Sequence, residues 1–151
     1  MDFDLSDIGK IFSYIIPIIV FILFNVLFKK QREQQRRMTV VKSLLSETEY
    51  NSKMAESFSL RSQMKRFKTA TWRRNKGKID YIDQGLFSTL ASTYEIADDF
   101  NREIEAAKKH KSASYIAGID TSRLIGPLAK SKQGLEEWLG LNKGKKKVTD
   151  S

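Results

Sequence analysis

The first pattern along the chain is a long run of apolar residues near the N-terminus. Residues 11–28 contain no charged residue, and 15 of these 18 positions are aliphatic or aromatic. A helix of this length is roughly 27 Å long, close to the ~30 Å hydrocarbon core of a bilayer. The pattern therefore predicts a transmembrane helix over 11–28. Pro17 falls within its first two turns, where a membrane helix tolerates proline.

Two other interpretations of this run fit its surroundings less well. A cleavable signal peptide has a basic N-terminal region and a small-residue cleavage site, whereas here the first ten residues are acidic and the run ends in Phe28-Lys29-Lys30. A buried core helix needs apolar neighbours, and no other segment of the chain is apolar enough to enclose it.

Beyond this run the apolar positions become periodic. Residues 29–60 contain no glycine or proline and predict a juxtamembrane helix. Its thin stripe consists of Val41, Leu44, Thr48, Asn51, Ala55 and Phe58. Two geometries are open: the helix continues the transmembrane helix as a straight stalk, or it breaks and folds back. Apolar heptads are not sustained, so coiled-coil pairing is a minor alternative.

The strongest amphipathic pattern lies in the second half of the chain. Asp83 is suited to cap a helix over about 84–110. The apolar stripe of this helix comprises Leu86, Leu90, Thr93, Ala97, Phe100, Ile104 and Ala107, widened by Phe87 and Tyr94.

A last helix follows a connector at 112–118. Asp120 or Thr121 can cap it, and Gly126-Pro127 is expected to kink or delay it because Pro127 cannot donate to residue 123. Gly134 further weakens the helical pattern. The predicted inner face is Leu124, Ile125, Leu128, Leu135, Trp138 and Leu139.

Together these stripes predict an all-α chain with one N-terminal transmembrane helix followed by a small cytosolic helical bundle. Its core would contain Trp72, Phe87, Phe100, Trp138 and neighbouring leucines. The predicted segments are an extracytoplasmic tail (1–10), the transmembrane helix (11–28), the juxtamembrane helix (29–60), a basic connector (61–82), a helical hairpin that completes the bundle (83–141) and a disordered basic tail (142–151).

Charge adds an orientation to this architecture. The formal net charge is +9, but the first ten residues carry −2 and residues 11–28 carry none, so the remainder carries +11. By the positive-inside rule, the N-terminus lies outside and the bundle lies in the cytoplasm, at the inner (plasma) membrane. The residues predicted to set this topology or to contact lipid headgroups are Lys29, Lys30, Arg32, Arg36 and Arg37.

A second basic stretch spans residues 61–78 and contains no acidic residue. Its cations form a candidate surface for an anionic partner: Arg61, Lys65, Arg66, Lys68, Arg73, Arg74, Lys76 and Lys78. At the end of a straight stalk, this stretch would lie roughly 45 Å from the membrane, far beyond the ~8 Å Debye length.

Several interpretations of this second basic stretch are open. If the juxtamembrane helix folds back, the stretch meets anionic lipid, with Phe67 and Trp72 at the interface. Otherwise it meets nucleic acid, an acidic protein partner, or the acidic face of residues 95–105, and Trp72 belongs to the core.

Five short motifs resemble a pattern in small single-pass bacterial membrane proteins with a cytosolic helical domain and no assigned activity. They are Glu49-Tyr50-Asn51, Phe67-Lys68-Thr69, Trp72, Lys76-Gly77-Lys78-Ile79-Asp80 and Phe100-Asn101. The resemblance covers roughly residues 40–105. It implies the same architecture and no particular chemistry.

The residues that carry chemistry elsewhere form no catalytic pattern here. The chain has no cysteine, which excludes disulfides, cysteine-ligated zinc and iron–sulfur clusters, and His110 is its single histidine. Asp80 and Asp83 lie where a helix begins, and the adjacent Asp98 and Asp99 point in different directions on a helix. Neither a glycine-rich phosphate loop nor a nucleophile elbow is present.

We therefore predict that the chain is not an enzyme and has no cofactor, metal or small-molecule substrate. The leading hypothesis is a membrane-anchored cytosolic helical adaptor, scaffold or accessory subunit, whose partners are the lipid bilayer with its anionic lipids and a protein partner or a second copy. A membrane-active effector of the holin or toxin type and a membrane-tethered nucleic-acid-binding protein are the alternatives.

Overall fold

A computed structural model describes residues 5–58, 65–110 and 119–143, with side chains described from Tyr14 onward in the first of these ranges. The helices are α1 (Leu5–Glu56), α2 (Ala70–Asn75), α3 (Gln84–His110) and α4 (Ser122–Lys143), and a 3-10 turn spans Lys76–Lys78. The described part of the chain has no strand, which agrees with the predicted all-α class. The chain divides into two compact units between Arg36 and Arg37.

The first unit is the N-terminal part of α1. Every side chain from Tyr14 to Phe28 is exposed, and its large apolar side chains are 43% to 75% exposed. By length and composition, α1 is able to cross a membrane, and none of its apolar window is buried. The core-helix interpretation is therefore wrong. Pro17 lies inside α1 without ending it.

The second unit includes the C-terminal part of α1, where the predicted stripe is confirmed. Val41, Leu44, Thr48, Asn51 and Ala55 are all buried at spacings of three and four. Helix α1 continues to Glu56 without a break after the apolar run, and half-buried Phe58 lies just past its end. Of the two geometries open from the sequence, α1 adopts the unbroken one.

Helix α3 matches its prediction at both ends. Asp83 accepts a hydrogen bond from the Leu86 backbone N–H at 2.9 Å, which satisfies a donor that a helix N-terminus leaves unpaired. Lys108, Lys109 and His110 lie in the last turn, where positive side chains favour the helix dipole. Every residue of the predicted stripe is buried, and so is Tyr94.

Helix α4 begins where the predicted cap at Asp120 or Thr121 places it. Asp120 accepts a hydrogen bond from the Ser122 N–H at 2.9 Å, and the helix continues through Gly126 and Pro127. Of the two expected effects of this pair, a kink or a delay, the delay is therefore wrong. Hydrogen bonds from the Ser122 side chain and backbone lower the pKa of Asp120. Ile125, predicted on the inner face, is 40% exposed.

Gly134 has a packing role in α4. A Cβ atom at this position would lie 2.6 Å from Cδ1 of buried Leu86. The missing side chain therefore lets α3 and α4 approach closely. The glycine that weakens the helical pattern in the sequence is the position where Leu86 fits.

Side-chain pairs define the directions of the helices in the second unit. Thr48 of α1 is 3.4 Å from the Tyr94 hydroxyl of α3. The hydroxyl of Thr93 lies 2.9 Å from that of Ser131, and the Trp138 indole bonds the Tyr81 carbonyl at 3.5 Å, so α4 runs antiparallel to α3. The apolar interior forms two clusters, one around Leu44, Trp72 and Leu90 and the other around Phe67, Phe100 and Leu124.

The segment between α1 and α3 returns along α1. Lys68 bonds to Asn51 of α1, Thr71 bonds to Glu47, and the Tyr81 ring lies 4.9 Å from the Arg37 guanidinium carbon. The predicted connector thus contains α2 and the 3-10 turn, and it runs antiparallel to α1. Helix α1 is thus unbroken, and the connector returns alongside it. The sequence analysis offered an unbroken helix or a helix that folds back, but not an unbroken helix with a returning connector.

Candidate functional site

Two asparagines hold the start of the returning connector. The Asn51 side-chain amide donates to the Lys68 carbonyl at 2.7 Å and accepts from the Lys68 N–H at 2.8 Å. Asn101 forms the same pair of bonds with Phe67, at 2.9 Å and 2.8 Å. An amide side chain can pair with both backbone groups of one residue, as a neighbouring strand would. We call this arrangement the asparagine clamp.

A buried carboxylate fixes the next part of the connector. Glu47 is only 6% exposed and accepts hydrogen bonds from the backbone N–H groups of Thr71 and Trp72 at 2.9 Å and 3.3 Å. These N–H groups lie in the first turn of α2, where helical donors lack partners within the helix and the dipole favours negative charge. Glu47 therefore caps α2 from a neighbouring helix.

The cap of Glu47 places Trp72 in the core, as the sequence-based interpretation favoured. The Trp72 ring stacks on Tyr94 with ring centres 5.2 Å apart and lies 5.5 Å from Phe87. Trp72 and Phe67 are 6% and 2% exposed, so the interpretation that places them at a membrane interface is wrong. Burial raises the pKa of the Tyr94 hydroxyl well above its ordinary value, and this group stays neutral.

Part of the candidate anionic-partner surface is paired within the chain. Arg66 contacts Glu105 at 2.6 Å and Arg73 contacts Asp98 at 2.5 Å, so two of its cations meet the acidic face of α3. The hydrogen bond from Arg66 lowers the pKa of Glu105. The Lys68 ammonium lies 3.8 Å from the centre of the Tyr50 ring, within cation–π range.

The other cations of that surface remain exposed. Among the residues that the structure describes, Lys65, Arg74, Lys76 and Lys78 have no acidic partner within 4.0 Å. Arg61 lies outside the described residues. The predicted surface is therefore divided: Arg66 and Arg73 pair with acidic residues of α3, whereas Lys65, Arg74, Lys76 and Lys78 are unpaired.

The five juxtamembrane cations all lie on α1. Lys29, Lys30, Arg32 and Arg36 are exposed. Arg37 is half-buried against the Tyr81 ring. Tyr81 in turn packs on Trp138, with ring centres 5.7 Å apart.

A shallow groove of about 670 Å³ opens beside Trp72. Trp72, Phe87 and Ala91 supply its apolar lining. Its charged lining consists of Arg73, Lys76, Glu95, Asp98, Asp99 and Arg102. Such a groove suits an apolar side chain flanked by charged or polar groups. Across the described ranges, no cluster of three or more His, Asp or Glu residues is arranged to hold a metal ion.

Sequence reasoning did not identify Glu47, Asn51 and Asn101 as positioning residues. A signal was present for Asn51, because a polar residue occupies a position in an apolar stripe, and buried polar groups need hydrogen-bond partners. Glu47 carried no comparable signal, since a glutamate on a helix is most often exposed.

Comparisons with known proteins identified no relative of this chain. No protein-family model matches the chain, and no curated protein or solved structure is significantly similar to it.

Proposed function

We propose that this chain is a non-catalytic membrane-anchored adaptor, which uses residues 11–28 to hold a helical unit at the cytoplasmic face of the plasma membrane. The observation that carries the proposal is the uninterrupted exposure of apolar side chains from Tyr14 to Phe28. Water disfavours such a surface, whereas hydrocarbon accommodates it, and helical backbone groups are satisfied internally in a bilayer.

The cations that follow Phe28 support the orientation. Four basic residues lie within eight positions of the apolar run, opposed by Glu33 alone. Lysine and arginine close to a membrane span are retained in the cytoplasm. The second unit is accordingly assigned to the cytoplasm and the N-terminus to the outside.

The groove beside Trp72 supports a protein partner. Its apolar lining contains two aromatic side chains, and its charged residues include both signs. Aromatic residues and arginine are enriched at protein interfaces, and mixed charge gives specificity for a partner with the complementary arrangement. Glu95 is exposed there, and no described residue forms an ion pair with it.

Purification of the full chain in mild detergent tests the adaptor proposal. We expect either a second protein at fixed stoichiometry or a second, differently tagged copy of the chain. Glu95→Arg reverses a charge in the groove without removing a buried contact, and it should abolish this recovery. Gln133→Arg, at an exposed position of α4 outside the groove lining, is the matched control and should retain the partner.

Two outcomes count against the adaptor proposal. One is recovery of the unaltered chain as a lone monomer in every detergent and in native-membrane crosslinking. The other is equal loss of the partner in both variants. This result would indicate a general effect of added charge and would exclude the groove as the partner's binding site.

A further inference from the structure

We propose that one end of the second unit docks on the headgroups of anionic phospholipids. This surface, called the entry end, lies where the chain enters the unit at Arg37. Its cations are Arg74, Lys76, Lys78 and Lys143, and all four are exposed. The inference rests on the proposed membrane anchor, and it adds a second attachment made by the folded unit itself.

The returning connector places these cations at the entry end. It passes Glu47 at Thr71 and reaches Arg37 at Tyr81, so Arg74, Lys76 and Lys78 lie between these two levels of α1. Ile79, which follows the 3-10 turn, is buried in the same cluster as Val41.

Helix α4 brings Lys143 to the same end. Trp138 packs on Tyr81, and the side chain of Asn142 donates to the Trp138 carbonyl at 2.8 Å. Lys143 is the last residue of the helix, one turn beyond Trp138. The sequence continues with Lys145, Lys146 and Lys147.

The charge of the entry end is not cancelled locally. Within the described ranges, its four cations have no acidic partner within 4.0 Å. Lys76 lines the groove that also contains Glu95, Asp98 and Asp99, and Asp83 caps α3. At the opposite end of the unit, Arg66 and Lys108 both pair with Glu105, and Arg102 pairs with Asp99. At that end Lys65 and Lys109 are nevertheless exposed without an acidic partner among the described residues, so three of its cations are paired, whereas none of the four at the entry end is.

The distance along the chain favours lipid as the occupant. Arg37 follows Phe28 by nine positions, which is about 14 Å of α-helical rise, and the headgroup region outside the hydrocarbon core takes up roughly 5–7 Å of that distance. A cation near an anionic leaflet strengthens association by about fivefold, and this effect fades within a Debye length of ~8 Å. Nucleic acid is less suited to this surface, because the connector aromatics Phe67 and Trp72 are buried and offer no stacking platform.

The absence of native cysteine makes a direct test possible. Gly77 lies between Lys76 and Lys78, and a Cβ there meets no atom within 4 Å, so Gly77→Cys should accept a fluorophore. Gly126 is equally open, and it lies in α4 next to Pro127, whose carbonyl contacts Thr93, away from the entry end. Gly126→Cys is therefore the matched control.

Each labelled full-length chain is reconstituted in nanodiscs that contain a headgroup quencher, with either phosphatidylcholine alone or a mixture containing phosphatidylglycerol. We expect the Gly77→Cys label to be quenched about twofold more in the anionic discs, with the difference lost at high salt. The Gly126→Cys label should not distinguish the two lipids. Replacing Arg74, Lys76 and Lys78 by glutamine in the Gly77→Cys chain should remove the difference.

The outcomes separate this inference from the anchor proposal. Alkaline-resistant incorporation into nanodiscs with equal quenching at both positions, or with no dependence on phosphatidylglycerol, overturns the docking surface and leaves the anchor intact. A chain that fails to incorporate overturns both. Saturable protection of the Gly77→Cys label by RNA but not by anionic lipid would assign the entry end to nucleic acid and contradict the proposal.

Discussion

Helix α1 contains two stretches with opposite surface patterns. From Tyr14 to Phe28 every side chain is exposed and most are apolar, on all sides of the helix. From Val41 to Ala55 the buried side chains follow one stripe, and that stripe includes the polar residues Glu47, Thr48 and Asn51. One unbroken helix thus combines a uniformly apolar surface with a one-sided, partly polar contact surface.

The difference shows that composition and periodicity carry separate information. A helix that is apolar all round suits hydrocarbon, because no side needs to meet water. A helix with one buried stripe suits a soluble bundle, because its remaining surface stays hydrated. The three buried polar residues are tolerated because each has a hydrogen-bond partner on another element.

The largest effect is expected when charge is placed in the first stretch. Ile19→Arg combined with Leu23→Arg should cost about 5–7 kcal/mol of insertion free energy, since each central arginine costs about 2.5–3.5 kcal/mol. The fraction of protein that resists alkaline extraction from membranes should fall sharply. Ser43→Arg with Ser46→Arg, at exposed positions of the second stretch, should leave it unchanged. Equal retention of both double variants would show that residues 14–28 do not span the bilayer.

The same truncation in the two stretches should differ in its effect on folding. Leu44 is fully buried, and Leu44→Ala should lower the unfolding free energy of the second unit by about 3–4 kcal/mol through lost burial and a cavity. Leu27→Ala should not change it, because Leu27 is 63% exposed. Urea unfolding can be followed by tryptophan fluorescence, since the chain's two tryptophans are Trp72 and Trp138. Similar midpoint shifts for both variants would contradict the assignment of two environments.

The asparagine clamp tests the polar part of the second stretch. Asn51→Leu leaves the Lys68 N–H and carbonyl without their partner and should cost about 2–3 kcal/mol of unfolding free energy. Asn142→Leu removes one local bond within α4 and should cost under about 0.5 kcal/mol. The same urea assay measures the unfolding free energy of both variants. An equal loss in the two variants would show that the asparagine clamp contributes no more than a local hydrogen bond.

The smallest expected effect concerns the Arg66–Glu105 pair. Its lowered pKa means that Glu105 stabilises the folded unit above the ordinary carboxyl pKa of 4.5 and loses this contribution as pH falls through its folded pKa. The stability difference between the unaltered chain and Glu105→Gln should be present at pH 7, shrink below pH 4.5 and weaken in salt, because the pair is exposed. A difference that is independent of pH would assign another role to Glu105.

Much of the secondary structure followed from the sequence, whereas the connector did not. The stripe from Leu86 to Ala107 and the Asp83 cap placed α3 correctly, because both are local signals. The contacts of Glu47 and Asn101 with the connector join residues 24 to 34 positions apart, and such contacts depend on tertiary packing. For the same reason the separation of paired from unpaired cations in residues 65–78 was not predicted.

Packing against α3 explains why α4 includes a glycine and a proline near its start. Gly126-Pro127 predicted a kinked or delayed helix, yet α4 begins at Ser122, directly after the predicted caps. Pro127 lies close to the N-terminus of the helix, where its missing donor removes one intrahelical bond. Its carbonyl lies 3.2 Å from the Thr93 hydroxyl, and buried Leu128 follows it, so packing against α3 holds this part of the helix.

Cysteine accessibility along α1 can show whether its first stretch lies in the bilayer and its second stretch in water, because the chain contains no native cysteine. Leu23→Cys and Ser43→Cys are placed singly in the full chain, and inverted membrane vesicles are treated with a membrane-impermeant maleimide. We expect rapid labelling at position 43 and no labelling at position 23 until the membrane is dissolved. Labelling of position 23 in intact vesicles, at the rate seen for position 43, would contradict it.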